Sequence, residues 1–168
     1  MKLITITGPS GAGKDTVAKI LSKMTGIPVL VSYTTRPMRE GEVNGREHWF
    51  VKRCPQSHDM MLAYTVYGGY EYWTEIGQVN DAAIYVIDER GLKELHDSFP
   101  DIELVTLYVT ASRLKRLQRG VVFERMVRDK DREMLDEDYY DHVIKNNYSR
   151  EHLRERLTEI LDHITKTE

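Results

Sequence analysis

A glycine-rich segment, Gly8–Thr16, constrains the fold more than any other part of the sequence. The residues before it, Leu3–Thr7, are apolar or β-branched, which predicts a buried strand. Those that follow, Asp15–Met24, carry apolar side chains at helical spacing. A strand, a glycine turn and a helix in this order aim backbone N–H groups and the positive end of the helix at an anion. We therefore expect a phosphate-binding loop, in which Lys14 supplies a mobile positive charge.

The loop predicts an ATP site and a place for its metal ion. After the Gly-Lys pair of such loops one expects Ser or Thr, whose hydroxyl holds Mg²⁺, but this chain has Asp15 followed by Thr16. A carboxylate is also a hard oxygen ligand, so we expect Asp15 to bind Mg²⁺ that arrives with ATP. The alternative is a glycine turn that binds no ligand. The expected ATP-binding residues of the loop are Gly8, Ser10, Gly11, Ala12, Gly13, Lys14, Asp15 and Thr16.

Size and composition exclude several other classes of protein. A chain of 168 residues suits one domain with a sizeable core, and a net charge of −3 gives no basic surface for nucleic acid. A single cysteine, Cys54, excludes an intramolecular disulfide and suits a reducing compartment. No apolar run approaches the ~18 residues that a membrane span needs. We expect a soluble cytoplasmic protein, a monomer or homodimer, with no nucleic-acid or membrane partner.

The remaining apolar patterns predict an α/β fold with a parallel sheet. Val29–Val31, Ala82–Asp88 and Ile102–Val109 are expected to be buried strands, and a strand–helix–strand start favours a right-handed crossover. Leu62–Thr74 alternates aromatic and β-branched residues around Gly68-Gly69, which predicts a hairpin with a primed turn. Helices are expected over Glu89–Phe99, over Ser112–Arg119 and after Ser149.

The segment Ser32–Val51 predicts a second anion site. It is polar and carries Arg36 and Arg39 beside hydroxyl side chains, and guanidinium groups bind phosphate well. The alternative is a solvated arginine pair. Together with the phosphate loop, the segment resembles the substrate-binding segment of guanylate kinases. The matching positions are Ser32, Thr34, Thr35, Arg36, Arg39, Gly41, Glu42, Gly45, Phe50 and Val51.

This resemblance implies transfer of phosphate from ATP to GMP with Mg²⁺, and it implies that Ser32, Arg36 and Arg39 hold the acceptor phosphate. His48 stands where the family has a tyrosine that also contacts this phosphate, and it can still donate a hydrogen bond. The alternative for His48 is a partly exposed histidine of a sheet.

The resemblance also assigns the predicted hairpin and the next strand to the acceptor. Tyr72 and Thr74 fall on a tyrosine and a hydroxyl position of the family, whereas the glutamate that reads guanine falls near Ala63. Asp88 matches an aspartate that contacts the acceptor. A plain helix N-cap is the alternative for Asp88.

A basic stretch after the predicted strand Ile102–Val109 resembles the family's lid. Arg119, which precedes Gly120, matches one lid arginine, and Arg125 or Arg128 matches the other. Asn146 matches an asparagine near the adenine, with a turn residue as the alternative. Because acidic residues alternate with the arginines, an exposed helix with ion pairs is the alternative for the whole stretch.

Together these patterns predict one guanylate-kinase-like domain over 1–168, with a three-layer P-loop kinase fold. We expect a core of 1–32 and 82–168, a small mobile acceptor-binding region over about 33–81 and a short lid near 120–132. One rival is a kinase of a deoxynucleotide or a ribose phosphate, which the missing glutamate favours. A second is an inactive binding module, against which the presence of Lys14 argues. The expected catalytic residues are Lys14, Arg36, Arg39, Arg119, Arg125 and Arg128.

Overall fold

The computed structural model describes residues 1–129 and 134–166 of the chain. Strands and helices alternate along most of it, with short 3-10 turns at Ile76–Gln78 and Glu137–Tyr139. In chain order the elements are β1 (Lys2–Thr7), α1 (Lys14–Thr25), β2 (Tyr33–Thr34), β3 (Trp49–Phe50), β4 (Met61–Tyr67), β5 (Tyr70–Glu75), β6 (Ala82–Val86), α2 (Glu89–Ser98), β7 (Glu103–Thr110), α3 (Arg113–Gln118), α4 (Phe123–Arg128), β8 (His142–Lys145) and α5 (Arg150–Lys166).

The central sheet is parallel, in the order β6-β1-β7-β8. Its strands are buried on both faces, which is why they are nearly continuous apolar runs. On one face Ile4 and Ile6 of β1 pack against α1 and α5. On the other, Leu3 belongs to a cluster that includes Leu92 and Leu95 of α2. The predicted three-layer α/β fold with a parallel sheet is confirmed.

One predicted strand is wrong. Val29–Val31 forms only an isolated bridge, in which Val29 pairs with Ile84. The amide of Leu30 donates to the carbonyl of Ile84 at 2.8 Å, and the amide of Ile84 donates to Pro28 at 2.8 Å. Pairing stops there because the chain crosses to a second sheet, where β2 begins at Tyr33.

The second sheet is mixed, in the order β3-β2-β5-β4. The predicted hairpin is confirmed as β4 and β5, joined by Gly68 and Gly69 with φ of 60° and 80°. Positive φ at both positions is the requirement of a primed turn. Leu62 and Ala63 of β4 join the same apolar cluster as α2. This sheet therefore packs beside the central one, and the space between them is available for a ligand.

The glycine-rich loop fits tightly at the carboxyl end of the central sheet. A Cβ on Gly8 would lie 1.9 Å from the carbonyl oxygen of Val109. Gly13 precedes α1 with φ of 103°, and a Cβ there would lie 2.4 Å from Nδ2 of Asn146. The loop can reach the ends of β7 and β8 only because these positions lack side chains. Within residues 1–129 and 134–166, no helix is both long enough and apolar enough to cross a membrane.

Candidate active site

The glycine-rich loop lines an open cavity of about 640 Å³. Gly8 and Ala12 are buried within the loop itself. The other predicted members of the ATP site reach the cavity wall, and two predicted lid arginines join them. The predicted residues on this wall are Ser10, Gly11, Gly13, Lys14, Asp15, Thr16, Arg119, Arg125 and Asn146. We call this space the donor cavity.

Lys14 folds back over the loop. Its ammonium group donates to the carbonyl of Gly8 at 2.7 Å and to that of Pro9 at 3.3 Å. Both carbonyls are neutral acceptors, and these bonds keep the positive charge at the loop, where a phosphate would attract it strongly.

Arg119 and Asn146 bind the loop at the wall of the donor cavity. Arg119 donates to the carbonyls of Gly11 and Ala12, both at 3.0 Å, and to the carbonyl of Asn146 at 2.8 Å. The Asn146 amide donates to Ala12 at 2.8 Å, and the asparagine is buried. These bonds fix the carbonyl groups of Gly11 and Ala12, and with them the conformation of the loop.

A second cavity of about 360 Å³ lies between the two sheets. We call it the acceptor cavity. Six of the seven predicted acceptor-binding residues lie on its wall, although they come from four different segments of the chain. These six are Ser32, Arg36, Arg39, His48, Tyr72 and Asp88.

Arg36 is held rigidly beside the acceptor cavity. Its guanidinium donates to both carboxylate oxygens of Glu42 at 2.9 Å and lies 5.2 Å above the centre of the Phe50 ring. Only 7% of the Arg36 side chain is exposed. The hydrogen bonds from Arg36 lower the pKa of Glu42 to about 2, and the same contact raises the pKa of Arg36. Both groups are therefore charged at neutral pH.

His48 lies beside Arg36 and contacts Ser32. Its Nδ1 atom is 2.7 Å from the Ser32 hydroxyl, and its ring makes an edge contact with Tyr72 at 5.6 Å between centroids. Burial, and then the charge of Arg36, lower the pKa of His48. The imidazole is therefore neutral at neutral pH and offers one donor and one acceptor.

Thr74 is not brought to the cavity wall. Its side chain is fully buried, and its hydroxyl donates to the Tyr85 hydroxyl at 2.6 Å. Tyr85 lines the cavity and so lies between Thr74 and the space for an acceptor. Asp88 lines the cavity and also caps α2, since it accepts from the Gly91 amide at 2.7 Å.

The donor and acceptor cavities meet. Ser10 and Arg125 line both of them, and Arg125 comes from α4 within the predicted lid. Arg128 belongs to the same helix, and its role stays a prediction. Residues 130–132 of the predicted lid lie outside the described residues.

The sequence did not predict a role for Arg116 and Asp129, which belong to the basic stretch with alternating acidic residues. They bind Ser10 across 106 and 119 positions of the chain. No local pattern marks such a contact. The sequence also did not place Tyr148 at the site, but its exposed aromatic side chain lies on the wall of the donor cavity.

A phosphate loop on a parallel sheet, facing a second cavity with buried arginine, defines a nucleotide kinase of the P-loop class. Comparison with known proteins agrees. The family model for guanylate kinase matches residues 1–164, and the chain belongs to the guanylate kinase family.

Individual relatives give the same result. The chain is 32% identical to a guanylate kinase of Gloeobacter violaceus, over 87% of this chain and 80% of that protein. The crystal structure of a guanylate kinase from Anaplasma phagocytophilum superposes with a TM-score of 0.68 at 22% identity, over 96% of this chain and 84% of that one. A sugar kinase of a Janibacter species shares the fold, with a TM-score of 0.54 at 14% identity, over 96% of this chain and 95% of that one.

Proposed function

We propose that the chain transfers the γ-phosphoryl group of ATP to GMP or dGMP. The observation that carries the proposal is the meeting of the donor and acceptor cavities at Ser10 and Arg125. Phosphoryl transfer needs its two substrates in line, with the negative charge neutralised and water excluded, more than it needs acid–base chemistry. Two adjoining cavities with lysine and arginine side chains on their walls supply those conditions.

On the donor side, Lys14 and the loop amides bind the phosphates of ATP. Lys14 leaves its loop carbonyls for the β- and γ-phosphates, which bind a cation more strongly than carbonyls do. Arg125, at the junction, stabilises the charge of the group in transit. In related P-loop enzymes an arginine of this kind is worth ~10³–10⁵ in rate.

On the acceptor side, Arg36 and Arg39 neutralise the monophosphate and direct its oxygen toward the donor. Because Glu42 and Phe50 already hold Arg36 in place, binding need not order that side chain. His48 and Ser32 supply neutral hydrogen-bonding groups beside it. We infer that residues 33–81 close over the acceptor and that the lid near 120–132 closes over the donor.

The residues at the loop fit a Mg²⁺ ion that is bound mainly by the nucleotide. Asp15 and Thr16 present hard oxygen atoms to the donor cavity. Across residues 1–129 and 134–166, the loop included, there is no group of three or more His, Cys, Asp or Glu side chains that could hold a metal by itself. A magnesium ion with one or two protein ligands, completed by phosphate and water, matches this arrangement. Bound with ATP, the ion would offset the charge of the phosphates.

A second candidate is a kinase of another small phosphate acceptor. Ala63 lines the acceptor cavity at the position where guanylate kinases carry the glutamate that reads guanine. A methyl group cannot accept a hydrogen bond from the base, so guanine recognition would have to come from other wall residues, such as Thr65 or Asp88.

A coupled ADP-release assay tests both candidates. The purified chain, ATP and Mg²⁺ are incubated with GMP, dGMP, the other nucleoside monophosphates or a ribose bisphosphate, with Lys14→Ala as the inactive control. We expect the highest kcat/KM with GMP or dGMP. Preference for the ribose bisphosphate would establish the second candidate. If no acceptor raised ADP release above that of Lys14→Ala, both would be wrong.

A further inference from the structure

The amide, hydroxyl and carbonyl of Ser10 are all bound by one ion pair, Arg116–Asp129. The Ser10 amide donates to Oδ2 of Asp129 at 3.1 Å, and its hydroxyl donates to Oδ1 at 3.0 Å. Its carbonyl accepts from Nε of Arg116 at 2.8 Å. Arg116 and Asp129 also bind each other. Serine, arginine and aspartate thus form a closed ring of hydrogen bonds, which we call the Ser10 ring.

The Ser10 ring is shielded from water. The side chains of Arg116 and Asp129 are only 13% and 11% exposed. Hydrogen bonds to charged groups are the strong ones, and low local polarity strengthens them further. The ring is therefore a rigid connection between the phosphate loop and the segment that follows α3.

The ring also fixes α4, which carries Arg125. Asp129 caps the end of this helix, and its backbone amide donates to the carbonyl of Arg125. The helix has only six residues, fewer than the ~12 that an isolated helix needs for stability. Phe123 and Val127 are exposed, whereas Met126 is buried. Asp129 connects the end of α4 to the loop, while Val121, buried against Gly11, holds the chain just before the helix.

We propose that Asp129 is a positioning residue, which holds Arg125 at the junction of the two cavities by binding Ser10 and Arg116. Asp129 also lies on the wall of the acceptor cavity, but Ser10 and Arg116 engage its carboxylate, so it acts through Arg125. This inference rests on the proposed phosphoryl transfer, because its consequence is the placement of an arginine over the transferring group. Arg116 neutralises the carboxylate, so the carboxylate can lie near bound phosphates without repelling them strongly.

Asp129→Asn keeps the size of the side chain and removes its charge, which leaves Arg116 without its counterion and weakens both bonds to Ser10. We expect kcat to fall about 10- to 100-fold, with less than about threefold change in the KM for ATP, because the interaction lost acts in the transition state. The matched control is Glu124→Gln, an exposed acid on the same helix, which should behave as wild type.

A double-mutant cycle separates positioning from a general loss of structure. In an Arg125→Ala background, Asp129→Asn should lower kcat by no more than about twofold, because the residue that it positions is already gone. Full additivity would overturn the proposal. So would an increase in kcat or in ATP affinity in Asp129→Asn, since that result would make Asp129 a competitor of phosphate.

Hydrogen exchange tests the Ser10 ring without relying on activity. Amides of α4 and of the loop around Ser10 should exchange faster in Asp129→Asn than in wild type or Glu124→Gln. Unchanged exchange would overturn the proposal. Faster exchange in a chain that phosphorylates no acceptor would leave the ring standing and refute the proposed function. Should Asp129→Asn fail to fold, Ser10→Ala removes one donor of the ring, and the same shifts in exchange and kcat are expected.

Discussion

Replacing Glu42 with glutamine removes the carboxylate that holds Arg36. The pKa of Glu42 falls from 4.5 to about 2 in the folded chain, which corresponds to ~3 kcal/mol at 1.36 kcal/mol for each pKa unit. The Glu42 side chain is 17% exposed, so water screens part of this interaction. We expect Glu42→Gln to lower the free energy of unfolding by about 2 kcal/mol at pH 7, as for loss of a charged hydrogen-bond partner.

The effect has a defined pH dependence. A carboxylate whose pKa is lowered on folding stabilises the fold above its unfolded pKa, and the stabilisation disappears as pH falls toward the folded pKa. The difference between wild type and Glu42→Gln should therefore be constant above pH 4.5 and shrink toward zero near pH 2.

Urea unfolding at several pH values measures this difference, and the acceptor KM reports the consequence for Arg36. We expect the KM for the acceptor to rise, because the guanidinium is no longer preordered. Glu40→Gln, two residues earlier and exposed, is the matched control and should change neither quantity. A Glu42→Gln variant as stable as Glu40→Gln at pH 7 would refute the reasoning.

Three further predictions concern the site directly. Arg36→Ala should raise the acceptor KM and lower kcat together, each at least about tenfold, since hydrogen bonds to charged groups contribute ~1.5–3 kcal/mol; unchanged kinetics with every acceptor would remove Arg36 from the site. Because the pKa of His48 is lowered, its imidazole should stay neutral and the acceptor KM should not change between about pH 7 and 8. A change in KM over this range that His48→Asn abolishes would show that the imidazole is charged there. Asp15→Asn should raise the Mg²⁺ concentration for half-maximal rate about tenfold, whereas wild-type Mg²⁺ dependence would argue against Asp15 as a ligand.

Local patterns predicted the phosphate loop and the hairpin because their conformations depend on neighbouring residues. Glycines at Gly68 and Gly69 permit the positive φ of a primed turn whatever the rest of the fold does. The same holds for Gly13, where the loop turns into α1. The largely apolar and β-branched runs of β1, β6 and β7 predicted their burial in a parallel sheet, because strands covered on both faces have few positions for charged side chains.

The exceptions come from pairing and packing. Val29–Val31 has the composition of a strand but forms one bridge, because the chain leaves the sheet edge for β2. Thr74 has the residue type for an acceptor contact, but packing against β6 buries it, and its hydroxyl is bound by Tyr85. Neither outcome depends on the residues' own neighbours in the chain.

The sequence alone determined that this protein has a phosphate loop, a parallel α/β core and an arginine-bearing acceptor segment, since each of these is encoded over a few consecutive residues. Only the tertiary structure decided that the two cavities adjoin at Ser10 and Arg125 and that Asp129 and Arg116 enclose Ser10. Those contacts join positions more than a hundred residues apart, and their geometry depends on how whole strands and helices pack against one another.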